Sequence, residues 1–179
     1  MYKKNLFFFV ILYSFIFNTI TFANIIVYLD MNKIMNTSKP GISILEQLKI
    51  INNNNLIFFK KSEKDFKQQE ITLRTQKNIL SKDEFTKKLN NLKIEINEYN
   101  EIKNDKINEL NRLKLNATNK FLKLINPLLT EYSAQNSISM IIQKKNLVIG
   151  INELDITEKI LTIINNKITK IDIKWHQAR

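Results

Sequence analysis

The fold class predicted from the sequence is α+β and mostly α. A long antiparallel helical hairpin, a coiled-coil arm, is inserted into a small β body built from the N- and C-terminal parts of the chain. Three observations predict it. Between Ile42 and Asn126 there is no glycine and no proline, whereas an ordinary globular helix runs roughly 11 to 12 residues. The helix breakers fall at the edges of that run, Pro40-Gly41 before it and Pro127 after it. The apolar patches suited to strands lie outside it, at Ile25 to Met31, Ser139 to Gln143 and Leu147 to Ile151. An arm of this kind is an architecture for gripping a partner.

Taken in order, residues 1–23 stand apart from the fold. Lys3 and Lys4 precede an apolar run from Leu6 to Phe17, and Thr21-Phe22-Ala23 places small residues at the −3 and −1 positions of a cleavage site. The apolar core is shorter than the roughly 20 residues that span a bilayer, and Asn18 and Thr19 interrupt it. A cleaved signal peptide is expected, with an exported chain that begins at Asn24 and is soluble after cleavage. An uncleaved anchor is the alternative. The sequence contains no cysteine, so neither a disulfide framework nor lipid attachment to cysteine is available.

Residues 24–41 open the body and 42–126 form the arm. Phe59, Phe66, Leu73 and Leu80 recur every seventh residue, but their companion seam positions hold Ser62 or Glu63, Gln69 or Glu70, and Gln76 or Lys77, so this seam is thin. The turn is placed within Ile79 to Glu84, where Ser81 and Glu84 make a capping box. On the return, Phe85, Leu89, Leu92, Ile96 and Tyr99 follow a heptad pattern. It lapses at Lys103 and resumes through Ile107, Leu110, Leu113, Ala117, Phe121, Leu124 and Leu128. The outgoing helix reaches roughly 55 to 60 Å at 1.5 Å per residue. Apolar density thins toward the tip, which predicts loose distal packing.

Residues 127–171 complete the body and 172–179 form a tail. Pro127 kinks the returning helix or opens a new segment, and Leu128 to Asn136 finishes it. The alternating patch at Ile138, Met140 and Ile142 reads as a strand, Lys144-Lys145-Asn146 as a turn, and Leu147 to Ile151 as a further strand. Asp155 sits at an N-cap position ahead of a helix whose Ile156, Ile160, Ile163 and Ile164 share a face. A body of a few short strands leaves edges and apolar faces that joining copies of the chain would cover. Ile25, Val27, Leu29, Ile142, Leu147, Val148 and Ile149 are the candidate oligomerisation residues.

The formal charge of +11 becomes +9 without Lys3 and Lys4, and favours acidic partners such as anionic lipid or lipopolysaccharide. Export and the absence of any zinc-finger or RNA-binding signature disfavour nucleic acid. The distal arm carries most of the relevant lysines, interleaved with acids in pairs such as Glu63 with Lys67. With only Gly41 and Gly150 available, no phosphate-binding loop or dinucleotide fingerprint can form. The single histidine, His176, lies beside Trp175 in the tail without a positioned partner. No catalytic residue, metal site or cofactor is expected, and the protein is read as a non-enzyme.

In their order, these signals resemble the Skp/OmpH family of periplasmic chaperones. Leu29-Asp30-Met31 is similar to the Val-Asp-Met-like step that ends the family's first strand. Asp155-Ile156-Thr157 is similar to the helix start after its late strand. Pro127, within Leu124-Ile125-Asn126-Pro127-Leu128-Leu129, is similar to the proline where the returning helix re-enters the body. The Asn-rich arm and the extent of the tail depart from the family. The resemblance implies a periplasmic homotrimer, trimerising through the body, that holds unfolded outer-membrane β-barrel proteins between its arms without ATP. On position and composition, the candidate client-binding residues are Phe59, Lys60, Lys61, Lys64, Phe66, Leu73, Leu80, Phe85, Lys87 and Lys88. A structural or adaptor coiled coil of the cell envelope is the competing reading.

Overall fold

The computed structural model describes residues 24–174; the expected signal peptide, Trp175 and His176 lie outside them. The elements run β1 (Ile25–Leu29), α1 (Met31–Thr37), α2 (Lys39–Thr75), α3 (Lys82–Gln135), β2 (Ile138–Gln143) and α4 (Thr157–Lys167), followed by an extended segment over 168–174. α2 and α3 form the antiparallel arm. They span 37 and 54 residues, or about 55 and 80 Å at the helical rise.

Each end of the arm has a local cause. Ser81 Oγ accepts from the Glu84 N–H at 3.3 Å, and the Glu84 carboxylate accepts from the Ser81 N–H at 3.2 Å and from its hydroxyl at 2.7 Å. This is the expected capping box, and it starts α3. At the base the boundary differs from the expectation. Pro40 and Gly41 do not precede the helix but occupy its first turn, where proline costs no hydrogen bond. Ser38 is the cap, its hydroxyl accepting from the Gly41 N–H at 3.2 Å. Nor does Pro127 open a new segment, since α3 runs through it to Gln135.

The sheet contains two strands. β1 and β2 are parallel, with Val27 opposite Ile141 and Leu29 opposite Gln143. Parallel strands need a long crossover, and the whole arm serves as that crossover. The third expected strand, Leu147 to Ile151, is absent. There the chain passes from a 3-10 turn at Lys144–Asn146 through irregular backbone to another at Asn152–Leu154. The reason is Tyr28. Its hydroxyl donates to the Ile151 carbonyl at 3.0 Å, and its ring lies so close to Gly150 that an added Cβ would sit 2.8 Å from it. The segment is thereby held across a ring face instead of along a strand edge.

One core joins every element of the body. Leu29, Ile34, Ile44, Phe121, Ile125, Ile160 and Ile164 belong to it, each at 2 % exposure or less. A polar hub ties its two sequence halves together. Asp30 caps α1 by accepting from the Lys33 N–H at 2.9 Å, while its own N–H donates to Thr157 Oγ1 at 2.8 Å. Thr157 in turn gives its hydroxyl and its N–H to Asp155, and the Ile156 N–H donates to the Tyr28 carbonyl at 2.9 Å. Burial would push the Asp155 carboxyl up, but the Thr157 donors and Lys144 outweigh it and hold the group below its usual range. Asp155, the expected cap, therefore stands one residue before the actual one, because α4 begins at Thr157 with Ile156 as its cap. Thr157→Val is expected to destabilise the fold by about 1–3 kcal/mol, since it leaves the partly buried Asp30 N–H without an acceptor. Urea unfolding measures this, and an unchanged midpoint would remove the hub from the account.

Candidate functional site

The two arm helices meet along a seam that differs from the expected one in its middle. Leu92, Tyr99, Leu113, Ala117, Phe121 and Ile125 are buried on α3, as expected for all but the last. Between Tyr99 and Leu113, however, the half-buried positions include Lys103 and Lys106 while Ile107 is 43 % exposed, and nearer the body Leu124 is 41 % exposed. The expected lapse at Lys103 is instead a polar insertion. Its amine reaches Glu63 on the facing helix at 2.7 Å, and the Tyr99 hydroxyl donates to the same carboxylate at 2.8 Å. Glu63 therefore pairs across the hairpin, not along its own helix with Lys67. Phe59 and Phe66 flank Tyr99, with ring centroids at 6.5 and 5.3 Å, and the Lys103 amine lies 5.4 Å from the Phe59 ring centroid. A single polar node set in an apolar seam fixes the register of two helices.

The Lys103 hydrogen bond, then that of Tyr99, holds the Glu63 carboxyl below the usual carboxylate range. A depressed carboxylate contributes its stabilisation above its unfolded-state range and loses it as pH falls through the folded value. The node should thus loosen in acid, and again in strong base, where Lys103, whose pKa the Glu63 hydrogen bond raises, gives up its proton. In Lys103→Met the Glu63 carboxyl is expected to titrate at higher pH than in the parent, as read by carbon NMR of labelled glutamate. An unchanged titration would mean that the pair does not form in solution.

The expected gripping residues divide by accessibility. Lys60, Lys61, Lys64 and Lys87 are exposed. Lys88, also exposed, bridges the helices by donating to Gln76 Oε1 at 3.3 Å. Phe59 and Leu73 are each only 8 % exposed, committed to the seam, and Phe66, Leu80 and Phe85 are half-buried. The accessible apolar surface is carried by residues the sequence reading omitted: Leu56, Ile57 and Phe58 on α2, and Ile102 and Ile107 on α3, between 37 % and 67 % exposed. Leu56, Ile57 and Ile107, with Asn52, Asn53, Phe59, Lys60, Glu63 and Lys103, line an open groove of 600 Å³, and the Lys106 amine stands 5.2 Å from the Phe58 ring centroid. A signal was available. Leu56-Ile57-Phe58-Phe59 is an unbroken apolar run, and a helix cannot turn all of it toward one seam.

The expected oligomerisation residues divide similarly. Val27 and Leu29 are buried within the single chain, at 6 % and 1 % exposure, so neither is free to meet a second copy. Ile142 and Leu147 are half-buried. Ile25, Val148 and Ile149 are exposed, the last two almost completely, and they share the body surface with exposed Ile26, Met140 and Ile151. Among the described residues no helix is long and apolar enough to cross a membrane, and no group of three or more His, Cys, Asp or Glu is placed to hold a metal ion.

Comparison with known proteins gives two findings. The family model described as outer membrane protein (OmpH-like) matches residues 25–164. The crystal structure of an OmpH-like candidate outer membrane chaperone from Caulobacter crescentus CB15 is similar in fold, with a TM-score of 0.78 at 12 % identity, over 87 % of this chain and 92 % of that one. No curated protein sequence matches the chain.

Proposed function

We propose that this chain, which belongs to the OmpH-like outer membrane protein family, is a chaperone of the periplasm. In this reading it is an ATP-independent holdase that keeps unfolded outer-membrane β-barrel proteins from aggregating in transit. It has no catalytic step and no cofactor. The observation that carries it is the middle of the arm, where large apolar side chains stand free among lysines: Leu56, Ile57, Phe58, Ile102 and Ile107, beside Lys60, Lys61, Lys64 and Lys106. Dispersed apolar contacts with a basic surround suit a client that is acidic, extended and variable in sequence. Lipopolysaccharide and anionic lipid share that negative charge and are further partners under the same reading.

Two sets of variants test it. Leu56→Ser with Ile57→Ser should leave folding intact, because these side chains are exposed, yet weaken retention of an unfolded β-barrel protein at every salt concentration. Reversing Lys60, Lys61, Lys64, Lys87 and Lys88 to Glu should slow capture, most at low ionic strength, where the Debye length is about 30 Å at 0.01 M. Suppression of client aggregation without nucleotide reads both. Full protection by both sets across the salt range would move the grip away from the arm.

Assembly belongs to the same proposal. The body's exposed apolar residues would form the contact of a homotrimer whose arms enclose the client. Val148→Asp with Ile149→Asp should yield folded single chains by light scattering, whereas deleting residues 66–99 should leave the trimer assembled. Val27→Asp tests something else, since Val27 lies inside the chain's own core. A parent protein that is a single chain in solution would end this part of the reading.

A further inference from the structure

We infer that the extended segment after α4 is a latch that fixes the lower arm to the body and so sets where along the arm bending begins, with Gln47 as its positioning residue. The segment would be expected to trail from the body, yet it is tied to both arm helices. Gln47 on α2 meets the segment's main chain with both ends of its carboxamide, while its Nε2 also donates to the Ser43 carbonyl one turn back at 2.8 Å. Its Nε2 donates to the Ile171 carbonyl at 2.8 Å, and its Oε1 accepts from the Ile173 N–H at 2.9 Å. From α3, Lys120 Nζ donates to the Asp172 carbonyl at 3.0 Å. Ile171 is 2 % exposed and belongs to the core.

Position along the arm gives this contact its effect. Asp172, Ile173 and Lys174 line a cavity of 240 Å³ with Leu113, Asn116, Ala117 and Lys120. They therefore lie beside α3 well above Ile125, and Leu113 stands about 18 Å further up the helix. Above that level the seam turns polar at Lys106 and Lys103, and exposed apolar residues take over. The latch therefore braces the lowest turns of the hairpin and leaves the gripping region above it free to sway. Because these are main-chain hydrogen bonds, they hold the segment by its backbone path and not by the identity of Asp172.

The inference concerns arm mechanics and stands apart from the chaperone reading, so its test uses no client. Amide hydrogen exchange is measured on the full chain and on Gln47→Met, Gln47→Glu, and a form ending at Lys170. In Gln47→Met, exchange over 44–52 and 113–121 should quicken by roughly tenfold, as expected when hydrogen bonds securing a local unit are lost. Exchange over 157–167 and at the tip, 76–92, should be unchanged. Gln47→Glu keeps the acceptor for the Ile173 N–H and should fall between parent and Gln47→Met. Spin labels at Lys77→Cys and Lys145→Cys, diluted in unlabelled protein, should show a wider distance distribution in Gln47→Met. No change in either window, or an equal acceleration along the whole chain, would overturn the latch.

Discussion

Replacing Phe121 with alanine is expected to lower the unfolding free energy by about 3–5 kcal/mol, the range for removing a large aromatic from a packed interior. Phe121 is fully buried, and its core takes residues from β1, α1, α2 and α4. The cavity would open inside that core, and backbone held by the sheet and the packed helices cannot collapse to fill it. Because Phe121 lies on the arm's returning helix, the loss should appear as one cooperative unfolding of body and lower arm together. Leu124→Ala is the control. Sequence periodicity assigned Leu124 to the seam, but it is 41 % exposed, and its loss should stay within about 0.5 kcal/mol. Denaturant midpoints at equal slope decide between them. If Leu124→Ala costs as much as Phe121→Ala, the packing of α3 against the body is wrong.

The second large effect is expected at Gly41, and its sign is informative. Within a helix, glycine to alanine ordinarily stabilises by about 0.5–1 kcal/mol. Here a Cβ would lie 1.9 Å from the Met35 carbonyl oxygen and 2.9 Å from Ser38 Oγ. The first is backbone at the end of α1, so the corner between α1 and α2 would have to open. Fully buried Ser38 and its capping bond to the Gly41 N–H sit in the same corner. Gly41→Ala should therefore destabilise by about 1–3 kcal/mol, the usual cost of overpacking a filled site. It should also tilt the root of the arm, which spin-label distances from the body to Lys77 would register. A stabilised Gly41→Ala protein would show that α1 and α2 do not approach as described.

These two positions illustrate where local pattern stops being sufficient. The sequence alone determined the class and the long elements. A run without glycine or proline between Pro40-Gly41 and Pro127 dictates long helices, Ser81 with Glu84 dictates where the second begins, and alternation at Ile138 to Ile142 dictates a strand. Each is a property of residues within a few positions of one another, where backbone propensity and capping act. The tertiary structure decided the rest. Leu147 to Ile151 became a loop because Tyr28, far away in the chain, holds it from above. Lys103 entered the seam because Glu63 faces it, while Leu56 and Ile57 were left exposed because a helix that turns Phe59 inward, with Phe58 leaning on Tyr99, turns them out. The parallel pairing of β1 with β2, the hub at Thr157 and the capture of Ile171 by Gln47 all join residues more than a hundred positions apart. Periodicity cannot encode which distant partner fills a site, since that depends on how whole elements pack, and packing is settled only when the elements meet.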